Sequence, residues 1–254
     1  MNRTIVIAIG LLLQATTWAR AQEIKVAAAI SMRESLTQAA QEFEKESKTK
    51  VRFTFGGSGE LAAQIEQGAP IDLFISAAQD QIDQLAQAKA VDASSRVIVA
   101  RNRLVLIVPA SAKNPPQTFE DLQDGAKVST IAIGNPKTVP AGKYASEVLS
   151  HLKSMNKQRL IYATNVRQVL DYVERGEVSA GIVYQTDAKF AGSKVKIAAI
   201  VDEKLHEPII YPAVVISKSA NASAAGEFLR FLQSEPGQKI LTSDGFLPAT
   251  QPAK

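Results

Sequence analysis

The 254-residue chain contains no cysteine and only two histidines, His151 and His206, in unrelated sequence contexts. Disulfides are excluded, and a zinc site has almost no ligands to draw on. A catalytic triad fails on the same shortage of histidine. No metal ligand and no cofactor is expected. Lysine and arginine are scattered singly, with no run of five. The formal net charge of +4 includes Arg3 and Arg20, so the remainder carries only about +2. A nucleic-acid or membrane-surface footprint is therefore not expected. Past the first two dozen residues no segment is apolar and long enough to cross a membrane. Internal repeats and low-complexity segments are also missing.

The chain opens with a basic stretch containing Arg3, an apolar run over Thr4–Leu13 and a small-x-small site, Ala19-Arg20-Ala21. That is the layout of a secretory signal peptide, residues 1–21, with cleavage expected after Ala21. No cysteine follows the apolar run, so a lipid anchor on an N-terminal cysteine is not expected. The mature protein is read as exported, soluble and held together by its hydrophobic core. A chain of this size buries roughly 70–75% of its unfolded surface, often as two domains.

Short β-like runs alternate with helix-like runs. "IKVAAA" leads to a segment in which Met32, Leu36, Ala39, Ala40 and Phe43 fall at helical spacing. "VRFTF", "IDLFISA", "STIAIG", "RLIYAT" and "SAGIVY" each lead to a helical pattern in the same way. Such alternation predicts an α/β protein with parallel-type sheets flanked by helices. Two β-rich stretches, "RLVLIVPA" (103–110) and "PIIYPAVVISK" (208–218), lack a helix directly after them. The simplest topology is two lobes: residues 22–104 and 213–254 form the first, residues 105–212 form an inserted second, and these two strands make the hinge.

The stretch "FGGSGELA" (55–62) places three glycines and a serine where a strand meets a helix. Such a junction offers free backbone N–H groups and the positive end of a helix dipole, so it can hold an anion. Gly57, Gly59 and Ala62 satisfy the spacing of a dinucleotide loop. The acid that would bind the ribose, however, stands at the start of the next strand (Asp72) rather than at its end. Three further junctions accompany this one. Ser31 ends the first strand, Pro140-Ala141-Gly142 opens the helix after "IAIG", and Asn165-Val166 opens the helix after "LIYAT". Ordinary capping by serine and asparagine explains any one of them alone. Two lie in each expected lobe, so a ligand caught between the lobes could touch all four.

The stretches "AAAISMRESL", "SGELAAQIEQGAPIDLFISA", "GNPKTVPAGKYASEVL" and "GIVYQTDA" resemble the periplasmic molybdate-binding proteins of ABC importers. The similarity runs from about Ile24 to about Phe246. It implies the two-lobed periplasmic binding protein fold (type II) and a receptor that delivers molybdate, and with it tungstate, to a membrane permease. It also implies a set of ligand residues: hydroxyl and amide from Ser31 and from Ser58, backbone amides from Ala141 and Val166, and the phenol of Tyr184. Ser58 is expected to cap its helix as well. Where the family often reads "AAASL" and "SSS", this chain has "AAISM" and "GSG"; Glu60 is expected to face solvent. Lys143 and Arg167 are expected to form surface or interlobe pairs rather than to touch the anion. A receptor for another tetrahedral oxyanion such as sulfate is the alternative. An enzyme or sensor on the same fold is less favoured, since the junctions supply no acid–base pair. The protein is expected to be periplasmic and monomeric.

Overall fold

The computed structural model describes residues 22–153 and 159–250. The expected signal peptide and the last four residues of the first expected lobe lie outside that range. The first half runs β1 (Glu23–Ala29), α1 (Arg33–Ser47), β2 (Lys50–Gly56), α2 (Ser58–Glu66), β3 (Leu73–Ile75), α3 (Gln79–Gln87), β4 (Val97–Arg101) and β5 (Leu104–Pro109). It continues with β6 (Thr130–Gly134), α4 (Pro140–Ser150), β7 (Arg159–Ala163), α5 (Val166–Glu174), β8 (Ala180–Tyr184), α6 (Gln185–Ala191) and β9 (Val195–Ile200). The last elements are β10 (Ile210–Val215), α7 (Ala222–Gln233) and α8 (Glu235–Ser243).

The strands form two five-stranded sheets, ordered β2-β1-β3-β10-β4 and β7-β6-β8-β5-β9. In the first, β1 pairs in parallel with β2 and β3, and β10 lies antiparallel to β3 and β4. The second repeats this plan: β6 is parallel to β7 and β8, while β5 is antiparallel to β8 and β9. The chain passes between sheets twice, at 102–103 and between β9 and β10. By sheet membership Leu104 joins the second sheet and 210–212 join the first, a few residues from the lobe limits expected from sequence. The cause is visible in two unforeseen edge strands, β4 and β9. They pair with β10 and β5 respectively, and so shift each crossing to a short linker beside them.

Helical spacing does what it should. Met32, Leu36, Ala39, Ala40 and Phe43 are all buried against the first sheet's core, each large apolar side chain contributing about 1.5–3 kcal/mol. Val166, Val169, Leu170 and Val173 form the matching stripe on α5. Asp72 is buried and structural: it accepts from Lys25 N, Ser219 Oγ and Asn221 Nδ2. Those bonds use its carboxylate to fix the chain near the C-terminal segment, in keeping with the rejection of a dinucleotide site.

Candidate functional site

Parallel strands deliver their carboxyl ends, and the helix starts that follow, to one edge of each sheet. Here those edges face each other across the gap between the lobes. Ser31 sits in a single 3-10 turn, Ile30–Met32, between β1 and α1. Ser58 is the first residue of α2, Ala141 the second of α4 and Val166 the first of α5; Tyr184 ends β8. The structure brings all five of these residues to the lining of one small cavity, with about 10 Å³ open to the centre of a water-sized sphere. A single water needs roughly 10–15 Å³ on that measure, so this space admits only a small guest. Ile30 also lines it, whereas Glu60 is exposed as expected. None of the lining residues is charged.

The donors follow from helix geometry. Amides of a first helical turn have no carbonyl of their own helix to bond. Pro140 brings no N–H, so Ala141 supplies the first donor of α4. In α5 the side chain of Asn165 caps the helix by accepting from Gln168 N at 3.0 Å, which leaves Val166 N–H outside the cap. In α2 the structure corrects the expectation that Ser58 caps. The extended backbone that a cap requires (φ −67°, ψ 134°) falls on Gly57, which has no side chain to accept with. Ser58 stands one residue inside the helix, and its Oγ instead accepts from Ala77 N at 3.0 Å. With a lone pair engaged, the hydroxyl proton is left to donate elsewhere.

Tyr184 is fully buried, and its Oη has no hydrogen-bond partner among the described residues. Its ring packs against Tyr211, 5.8 Å between centroids. Burial pushes the phenol's pKa well up, so the group stays protonated. A buried, unpaired hydroxyl costs about 1–3 kcal/mol, and an acceptor in the cavity removes that cost.

The two cations expected to form surface or interlobe pairs do form them. Lys143 on α4 reaches Asp80 on α3 of the other lobe at 2.7 Å, and Glu207 at 2.9 Å. Arg167 on α5 makes a two-pronged pair with Glu34 on α1, at 3.1 and 2.6 Å, and binds Asp187 of its own lobe at 2.6 Å. Phe190 stacks over the guanidinium, 4.0 Å from ring centroid to Cζ. Both pairs therefore bridge the lobes. So does a backbone bond from Gly59 N to Thr138 O at 3.1 Å. A Cβ at Gly59 would collide with that same carbonyl, which explains the glycine. Sequence reasoning missed Thr138, the Ala77 amide, and a buried trio of Asn102, Tyr211 and Thr186 behind Ser31. These act through the folded arrangement and carry no local motif.

Comparison with known proteins agrees with this geometry. Residues 24–247 match the bacterial extracellular solute-binding protein family. The molybdate-binding protein ModA of Haemophilus influenzae is 36% identical over 235 residues, covering 91% of this chain and 92% of its own. The Escherichia coli ModA is 35% identical, with 88% of each chain covered. Among solved structures, the periplasmic molybdate-binding protein of Azotobacter vinelandii superposes with a TM-score of 0.79 at 26% identity, covering 91% of this chain and all of that one. The sulfate-binding protein SubI of Mycobacterium tuberculosis shares the fold at TM-score 0.75 and 19% identity, covering 89% and 87%. Two five-stranded sheets meeting at a small cavity, with a match across nearly the whole described chain, place this protein in the bacterial extracellular solute-binding protein family.

Proposed function

We propose that this protein captures molybdate, and tungstate with it, between its two lobes and delivers the anion to the permease of an ABC importer. The observation that carries the reading is the cavity's chemistry: hydroxyls and first-turn amides from both lobes, and no charged side chain. Ser31 and Ser58 give hydroxyl and amide, Ala141 and Val166 give amides, and Tyr184 gives its phenol. Helix starts attract negative charge without a counter-ion. Molybdate is fully deprotonated at neutral pH, so its four oxygens only accept hydrogen bonds. Hydrogen phosphate carries a proton that needs an acceptor, and leaving it unpaired costs about 1–3 kcal/mol. Relatives that bear the molybdate-binding name support this choice among tetrahedral anions. In this reading the protein acts as a receptor without catalysis, exported by a signal peptide cleaved after Ala21 to a periplasmic, monomeric form.

Calorimetric titration with molybdate, tungstate, sulfate and hydrogen phosphate tests it. Molybdate and tungstate are expected to bind with micromolar or tighter Kd, sulfate at least about 100-fold more weakly, a gap of ~2.7 kcal/mol. Hydrogen phosphate is expected to give no heat. Equal affinity for sulfate and molybdate overturns the molybdate assignment, and silence from all four overturns the oxyanion receptor.

A further inference from the structure

Of the residues that line the anion cavity, only Ile30, Gly56 and Asn165 are partly exposed, and the rest are buried. Those three mark its mouth. Ile30 and Asn165 also line the cleft outside, beside the exposed side chains of Arg33, Asp171 and Phe190. That cleft has about 450 Å³ open to the centre of a water-sized sphere, against about 10 Å³ in the cavity. The anion site therefore meets bulk water past one side chain of each lobe, Ile30 from the first and Asn165 from the second.

The two sides of the mouth differ in chemistry. Asn165 is held: its Oδ1 accepts from Gln168 N at 3.0 Å as the cap of α5, and its Nδ2 donates to Thr164 Oγ1 at 3.5 Å. Gly56 brings no side chain. Ile30 brings a bulky one with no polar atom, in the turn that presents Ser31, and it packs against the core. Branching at Cβ leaves it few χ1 states, so it stays where the backbone puts it. It offers a bound anion nothing to bond to, and it fills space that water would otherwise take. Hydrogen bonds to a charge are stronger where water is excluded. Outside, Arg33 and Arg167 are matched by Glu34 and Asp171, so the cleft has no excess of positive charge to hold an anion that slips out. Retention then falls to the mouth.

We infer that Ile30 is a plug: closure of the lobes sets it opposite Asn165, where it seals the mouth and keeps the bound anion from water. It acts on the lifetime of the complex and not on recognition, which belongs to the donors inside. This inference rests on the anion-receptor reading above.

Stopped-flow tyrosine fluorescence over a series of molybdate concentrations, with Tyr184 in the cavity wall as reporter, gives both rates and tests it. In Ile30→Ala, dissociation is expected to speed up about tenfold or more, while association holds or rises. Ile30→Leu keeps the apolar bulk and is expected to stay within about threefold of the wild type. The ratio of molybdate to sulfate affinity, by calorimetry, is expected to stay within about threefold in both variants. If Ile30→Ala does not fold, Ile30→Val serves, with a smaller change in the same direction. Unchanged dissociation in Ile30→Ala, or equal acceleration in Ile30→Leu, overturns the inference. So does association slowed by as much as dissociation is sped, or a shifted molybdate-to-sulfate ratio, which would make Ile30 a recognition residue. Should the wild type bind sulfate and not molybdate, the molybdate reading falls and the same rates are read with sulfate. If it binds neither, both fall.

Discussion

Ser58 shows how much one hydroxyl does. It accepts from Ala77 N and has its proton free for the cavity. Ser58→Ala removes a hydrogen bond to a charged ligand, worth about 1.5–3 kcal/mol, so molybdate affinity is expected to fall roughly 10- to 100-fold by calorimetry. Unchanged affinity would reduce the serine to a turn residue. Asp187 makes a second residue-scale claim. It is fully buried, one of its oxygens has no partner among the described residues, and it shares Arg167 with Glu34. Burial pushes its carboxyl up to about 6, against the pull of Arg167. A carboxyl raised in this way keeps its proton longer when folded than when unfolded. Its contribution to stability is greatest below about pH 4, falls as pH rises towards 6, and is level above that. Asp187→Asn removes the effect. Urea unfolding across pH 4–7 should show the variant gaining on the wild type by on the order of 2–3 kcal/mol between pH 4 and 6, then running parallel. A constant difference across the range would mean the carboxylate is ionised throughout.

At the scale of elements, the sequence is most readable where local rules dominate. The apolar stripe of α1, the proline at the start of α4 and the asparagine cap of α5 each announce themselves, and each forms as expected. The four junctions were legible because strand-to-helix turns have compositional marks. β4 and β9 were not, because "VIVAR" and "VKIAAI" are short edge strands with exposed positions such as Ile98, Ile197 and Ile200. Only pairing with distant strands defines them. Ser58 looked like a cap because serine usually caps; one position of register gave that place to Gly57. The relay from Asn102 to Ser31 spans residues 102, 211 and 31, and no sequence window holds all three. Gly59 offers an element-scale test. Alanine is a better helix former than glycine, by up to about 1 kcal/mol in a helix interior and less in a first turn such as this, yet a Cβ here strikes the Thr138 carbonyl of the opposite lobe. Gly59→Ala is expected to leave the melting temperature of the ligand-free protein unchanged or raised while lowering molybdate affinity at least about tenfold. Undiminished affinity would show that α2 and Thr138 need not meet for binding.

On the scale of the molecule, two similar sheets are joined by two short crossings and bridged at several separate points. Lys143–Asp80 is partly exposed and contributes little alone, about 0–1 kcal/mol. Arg167–Glu34, the Gly59–Thr138 backbone bond and Lys189 Nζ on Ser243 O join the lobes elsewhere. Each of these bridges lies outside the cavity lining, while Tyr144 Oη reaches the carbonyl of Ala77, a lining residue of the other lobe, at 3.5 Å. Keeping the charged pairs outside lets a neutral cavity hold a dianion while they register the lobes. The account stands on one claim, that a tetrahedral oxyanion is held by donors from both lobes at once. Crystals grown with molybdate, with diffraction recorded on either side of the molybdenum absorption edge, test it directly. The account predicts one anomalous peak, within hydrogen-bond reach of Ser31, Ser58, the amides of Ala141 and Val166, and Tyr184 Oη. A peak at any other place, or none there from protein saturated with molybdate, would contradict it.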